Sequence, residues 1–296
     1  DITARNVILT AGKLGSIGIV GNDLDINSSY SGEGALTILG TGLDAYIIET
    51  NGVLGLNTIN VGNLDPNQVV RTAYITAPDP VSGRILNRAG NGNTNVDSGK
   101  VWLYAVGDIG EFATPIITRS QAIEGKSQRG NFVVDNTGAI EIGGVIQGSF
   151  NTVSVSGLEA GGALQFVAHS PITLSESVTA AGDIEIESVD SNPGDGDSVR
   201  ILDHRVIEST GGSIFIRSGD SVFLQEGVRL QAANQVLISA SVPDPVWQTD
   251  SAVASIEASA VTIRAGTSVT GRASGSILVQ GASSIKADRK STRLNS

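Results

Sequence analysis

Between Gly161 and Val279 the chain repeats one phrase: a turn ending in Gly or Asn, a short alternating strand, a polar corner, then two further strands. The first strands read Ala163-Leu164-Gln165-Phe166, Asp183-Ile184-Glu185-Ile186, Ser213-Ile214-Phe215-Ile216, Gln235-Val236-Leu237-Ile238 and Ser276-Ile277-Leu278-Val279. Second strands follow at Ile172-Thr173-Leu174, Val199-Arg200-Ile201, Val222-Phe223-Leu224 and Val261-Thr262-Ile263, and third strands begin at Val178, Val206, Val228 and Val269. Leu164 precedes Ile184 by 20 residues and Ile214 precedes Val236 by 22. A period of that length, made only of strands and turns, belongs to a solenoid, and three strands per period make one coil of a parallel β-helix. Ile, Leu and Val at alternate positions point inward, while Gln165, Asp183, Glu185 and Arg217 face water. One coil cannot bury its apolar face, but stacked coils bury it together. The predicted fold class is all-β, a single parallel β-helix over residues 1–287. Leu164, Ile184, Ile214, Val236 and Ile277 are expected in one inward row.

The rest of the chain fits this grammar. Residues 6–62 and 100–148 read as two copies of one unit: Tyr46-Ile47-Ile48-Glu49 parallels Phe132-Val133-Val134-Asp135 at an offset of 86 that still holds at Gly62 and Gly148. The irregular stretch 63–99 reads as a coil with a long loop. Two polar insertions, Asp190 to Asp197 and Val242 to Asp250, fall at coil corners, where a solenoid tolerates them. No segment shows a capped period of 3.6.

The net charge of −11 makes nucleic acid and anionic membranes poor partners. There is no cysteine, which excludes a disulfide framework and thiolate metal sites. No apolar run approaches the roughly 18 residues of a helical membrane span. The chain contains no Met and begins without a visible signal peptide, so it reads as an internal piece of a longer protein. Residues 288–296, Asp288-Arg289-Lys290-Ser291-Thr292-Arg293-Leu294-Asn295-Ser296, match one reading frame of a common sequencing adapter. They are read as an artefactual tail that packs on nothing.

Several phrases resemble those of very large bacterial exoproteins. Asn136-Thr137-Gly138-Ala139-Ile140-Glu141-Ile142-Gly143-Gly144-Val145 is similar to their repeated Asn-Thr-Gly phrase. Gly107-Asp108-Ile109-Gly110, Ser170-Pro171-Ile172-Thr173-Leu174 and Gly211-Gly212-Ser213-Ile214 are of the same kind. The chain resembles the filamentous haemagglutinin-like, haemagglutinin-repeat adhesins over nearly all of residues 1–287. That resemblance implies a right-handed β-helical shaft, export to the surface of a Gram-negative cell and a role in adhesion. Partners would be the rest of the same polypeptide and a glycan or protein on a host or neighbouring cell.

Three kinds of chemistry compete with plain solvated strands as readings of the outward residues. Parallel β-helices also host polysaccharide lyases and hydrolases, whose carboxylates and cations cluster on one outer face. Here the candidates are Asp183, Glu185 and Glu187 with Arg217. Calcium takes 6–8 oxygen ligands in flexible acidic loops, which singles out Asp190, Asp195, Asp197 and Asp203, although neither EF-hand nor β-roll spacing is present. Exposed rings can stack on sugars, and Phe215, Phe223, Trp102 and Tyr104 fall at outward positions, with Trp247 in the nearby insertion. His169 and His204 sit at corners of successive coils, close enough in sequence period to meet. No Ser-His-Asp order or metal-ligand spacing appears. The expectation is a non-catalytic shaft with no obligatory cofactor. The alternatives are a polysaccharide-binding or polysaccharide-degrading β-helix and a calcium-stabilised binding module.

Overall fold

The structure, a computed structural model, describes residues 2–29, 32–65, 67, 69–90, 92–145, 149–150, 153–189, 196–240, 255–274, 276–287 and 292–295; for 149–150 and 292–295 it describes backbone only. Among these residues every regular element is a strand. The chain divides into two compact units: residues 1–137 with 144–161, and residues 138–143 with 162–296.

The second unit stacks parallel strands into three ladders. The first runs through Leu164–Ala168, Ile184–Ser188, Ile214–Ser218, Gln235–Ala240 and Ser268–Arg272, in continuous register. A second runs through Ile140–Ile142, Ile172–Leu174, Val199–Ile201, Val222–Leu224, Ile256–Ser259 and Ile277–Gln280. The third holds Val178–Ala180, Val206–Ser209, Arg229–Ala232, Thr262–Ala265 and Ser284–Ala287. The chain visits the three ladders in turn, in the solenoid-like manner its repeat predicts. Burial alternates along each strand, as the pleat requires. Phe166, Ile186, Ile216 and Ile238 form one inward row, and Leu164, Ile184, Ile214 and Val236 another, each residue 3% exposed or less.

The inward row containing Leu164 continues to Val269, not Ile277. Ile277 pairs with Ile256 in the second ladder. Past Ala240, therefore, the predicted frame is one strand out of step: Thr262-Ile263 lies in the third ladder and Val269 in the first. The cause is the strand Ile256–Ser259, whose second inward residue is Ala258. Its weak apolar signal hid it just past the insertion at Val242 to Asp250. The tail was expected to pack on nothing, whereas residues 292–295 pair in parallel with Val269–Arg272. An open strand edge offers unpaired N–H and C=O groups to any segment able to extend along it.

The corners need polar atoms, because the chain turns there with its carbonyls facing inward. Ser188, Ser209 and Ser218, all buried, donate their hydroxyls to Ser170 O (2.8 Å), Gly182 O (2.7 Å) and Asp197 O (2.7 Å). Satisfying these acceptors removes a desolvation cost of about 1–3 kcal/mol each.

The first unit uses the same parallel pairing. One ladder passes through Leu24–Asn27, Ala45–Glu49, Thr72–Ala77, Lys100–Ala105, Ala122–Ser127 and Leu158–Ala160. Another passes through Asn6–Leu9, Ala35–Ile38, Val53–Asn60, Val96–Asp97, Ile116–Arg119 and Phe132–Asn136. Gly110, with φ +70°, shows how tight the turns between them are: a Cβ there would lie 2.2 Å from Val133 O. The segments matched at an offset of 86 fall on different ladders, Tyr46 to Glu49 on the first and Phe132 to Asp135 on the second. Their likeness reflects shared strand-and-turn grammar more than equal place in a coil.

Candidate functional site

On the outward side of the first ladder of the second unit, Gln165, Glu185, Phe215, Leu237 and Thr270 stand in one row. Beside it run Val167, Glu187, Arg217, Ser239 and Arg272. Adjacent rows lie within side-chain reach, so opposite charges find each other. The Arg217 guanidinium donates to Glu185 and lies 3.4 Å from Glu187 Oε2. It also sits 5.8 Å from the centre of the Phe215 ring. Gln165 Nε2 donates to Glu185 Oε2 at 2.9 Å. The expected cluster of Glu185, Glu187 and Arg217 is thus assembled, but its groups are turned on one another. Asp183 stands apart: its Oδ1 accepts the Ser213 N–H at 2.7 Å and fastens a corner.

The outward row of the second ladder reads Thr173, Arg200, Phe223, Glu257 and Leu278. Here Arg200 lies 4.5 Å over the Phe223 ring, a contact worth roughly 0.5–1 kcal/mol at a partly exposed site. With Gln225, Glu257, Leu278 and Gln280 these residues line a shallow recess of about 210 Å³. It offers an apolar floor, an amide pair and both signs of charge. Phe215 and Phe223 therefore belong to different ladders and form no common strip, and each is half-buried beside an arginine. Trp247 lies outside the described residues. Arg200, Glu257 and Gln225 were absent from the sequence candidates. Their signal was the outward position of the short second strands.

Two aromatic expectations are corrected. Trp102 is fully buried and Tyr104 is 8% exposed. Their strand does turn them outward from the first unit's ladder, where Trp102 aligns with Tyr74 and Glu124. However, Val145, Val153 and Val155 pack over that face, and Val145 N–H donates to Glu124 Oε1 at 2.8 Å. Tyr46 and Tyr74 stack beneath the same cover, with ring centres 4.5 Å apart and planes 8° from parallel. Burial pushes the Tyr46 hydroxyl well above the usual tyrosine range.

Of the calcium candidates, Asp190 and Asp195 lie outside the described residues. Asp197 is buried, and its N–H donates to Asp220 Oδ2 at 2.6 Å. Asp203 is exposed at the far end of the strand Val199–Ile201. Among the described residues no group of three or more His, Asp or Glu side chains is placed to hold a metal ion. His169 follows a first-ladder strand and His204 a second-ladder strand, so they occupy different corners and do not form the anticipated pair. His204 adopts φ +61° and its ring packs against Gly227, where a Cβ would meet it at 2.8 Å.

No family model, curated protein or solved structure matches the chain.

Proposed function

We propose that the chain is a non-catalytic length of right-handed parallel β-helix. It serves as the shaft of a secreted or surface-anchored adhesin-like exoprotein of a Gram-negative bacterium, spacing a binding domain carried elsewhere on the polypeptide. The observation that carries this reading is the self-sufficiency of the rows. Inward residues are accounted for by stacking, and the predicted cluster of catalytic residue types, Glu185, Glu187 and Arg217, is occupied by its own ion pairs. The acidic, aromatic-poor composition suits an exposed filament that must remain in solution.

Turnover provides the test. Incubation with acidic and neutral polysaccharides, with and without calcium, should give no new reducing ends and no unsaturated products. Turnover that disappears in Glu185→Gln or Arg217→Ala would replace the shaft with a lyase or hydrolase. A second reading, a polysaccharide-binding module, is favoured by the recess at Phe223, Arg200 and Glu257. It predicts weak glycan binding that Phe223→Ala abolishes without change in fold.

A further inference from the structure

We propose that the outward face of the third ladder in the second unit binds a carboxylated linear polysaccharide. Glu208, Gln231, Arg264 and Lys286 lie in one register row on this face, and Arg229, Thr262 and Ser284 in the next. Arg229, Arg264 and Lys286 are all exposed, and none makes an ion pair among the described residues. By contrast, Arg217 meets Glu185, Lys126 meets Glu159 at 2.6 Å and Arg84 meets Asp108 at 3.1 Å. Like charges directly opposite on neighbouring strands oppose folding. Arg264 beside Lys286 is such a pair, on a chain of net charge −11, and coil stacking does not explain it.

Arg264 and Lys286, with Gln231, border a depression of about 470 Å³ lined also by Ala232, Ala233, Ala265 and Gly266. The corner backbone passes close there, and a Cβ on Gly266 would lie 1.9 Å from Ala233 O. A charged group can therefore settle between the two cations.

The ligand class follows from the face. Neighbouring strands repeat at about 4.8 Å, a step comparable to one sugar residue of a linear chain, so charges spaced one per sugar can meet successive coils. The planar fork of Arg264 matches a carboxylate bidentately. Gln231, Thr262 and Ser284 supply the amide and hydroxyls that sugar hydroxyls need. These rows carry no aromatic ring on which bases could stack. The chain's negative field also penalises a dense phosphate backbone more than a sparsely charged polyuronate.

The experiment is calorimetric titration of the full 296-residue chain with a defined oligogalacturonide, its methyl ester, and single-stranded DNA of matched length. The oligogalacturonide should bind, with affinity falling as salt rises, and the neutral ester should not. Arg264→Gln with Lys286→Gln should weaken binding roughly tenfold or more. Its melting should not fall, because both side chains are exposed and their replacement removes a like-charge contact. Arg264→Lys keeps the charge, loses the fork and should fall between. Arg119→Gln, in the other unit, should bind as the parent does. No binding by the parent, undiminished binding by the double variant, or equal binding of the ester would each overturn the proposal. Tighter DNA binding that depends on Arg264 would give the face to nucleic acid instead. The shaft reading is untouched by failure here, because its own test is turnover.

Discussion

Ile216→Ala should cost the second unit about 2–5 kcal/mol, the range for deleting a fully buried branched side chain. Ile216 is wholly buried between Ile186 and Ile238, and beyond Ile238 the row meets Gly271. Arg217→Ala, one residue along and on the opposite face, should cost no more than about 1 kcal/mol, as expected for a partly exposed ion pair. The contrast tests register as well as stability, since a one-residue slip would exchange the two side chains between core and water. Denaturant unfolding of both variants provides the measurement. Equal losses would mean that Ile216 does not face inward.

The second large effect is a pH dependence centred on Glu49. Its carboxyl is fully buried and accepts the Ser28 N–H at 2.9 and 3.1 Å and the Ser28 hydroxyl at 2.5 Å. Burial nevertheless outweighs these bonds and pushes the carboxyl from 4.5 up to about 7. A raised acid binds its proton more tightly in the folded protein than in the unfolded chain. Its contribution is therefore fully present below pH 4.5 and is lost as the pH rises through 7. At 1.36 kcal/mol per pH unit, the loss amounts to about 3 kcal/mol. Glu49→Gln keeps the shape and an acceptor oxygen but cannot ionise. It should match the parent near pH 4.5 and exceed it by about 3 kcal/mol at pH 8. A difference between variant and parent that is the same at both pH values would show that the carboxyl titrates as an ordinary one.

Alternation told which residues point inward wherever both inward positions of a strand are large, as in Ile184–Ser188 and Ile214–Ser218. It failed at Ile256–Ser259, where Ala258 carries too little apolar surface to announce a strand, and every later assignment moved by one ladder. Trp102 failed for a different reason. Its strand does turn it away from the coil interior, but alternation reports direction and not what lies in that direction. The covering residues Val145, Val153 and Val155 are remote in sequence and share no period with it. For the outward clusters, residue types and spacing located Glu185, Glu187 and Arg217 together. They could not reveal that Arg264 and Lys286 adjoin, because that juxtaposition depends on the corrected frame.

Both insertions of the second unit follow a first-ladder strand and precede a second-ladder one: Asp190 to Asp197 lies between Ile184–Ser188 and Val199–Ile201, and Val242 to Asp250 between Gln235–Ala240 and Ile256–Ser259. The ladders on either side keep their register all the same, with Val199 opposite Val222 and Val222 opposite Ile256. Sequence length and axial length are thereby uncoupled. The row from Leu164 to Val269 climbs four steps of about 4.8 Å, however many residues each circuit spends at this corner. An epitope or peptide tag spliced between Ala240 and Ile256 would add mass without adding height. Foreign sequence spliced there would sit at a height set by the strands it joins, whose register the neighbouring strands hold.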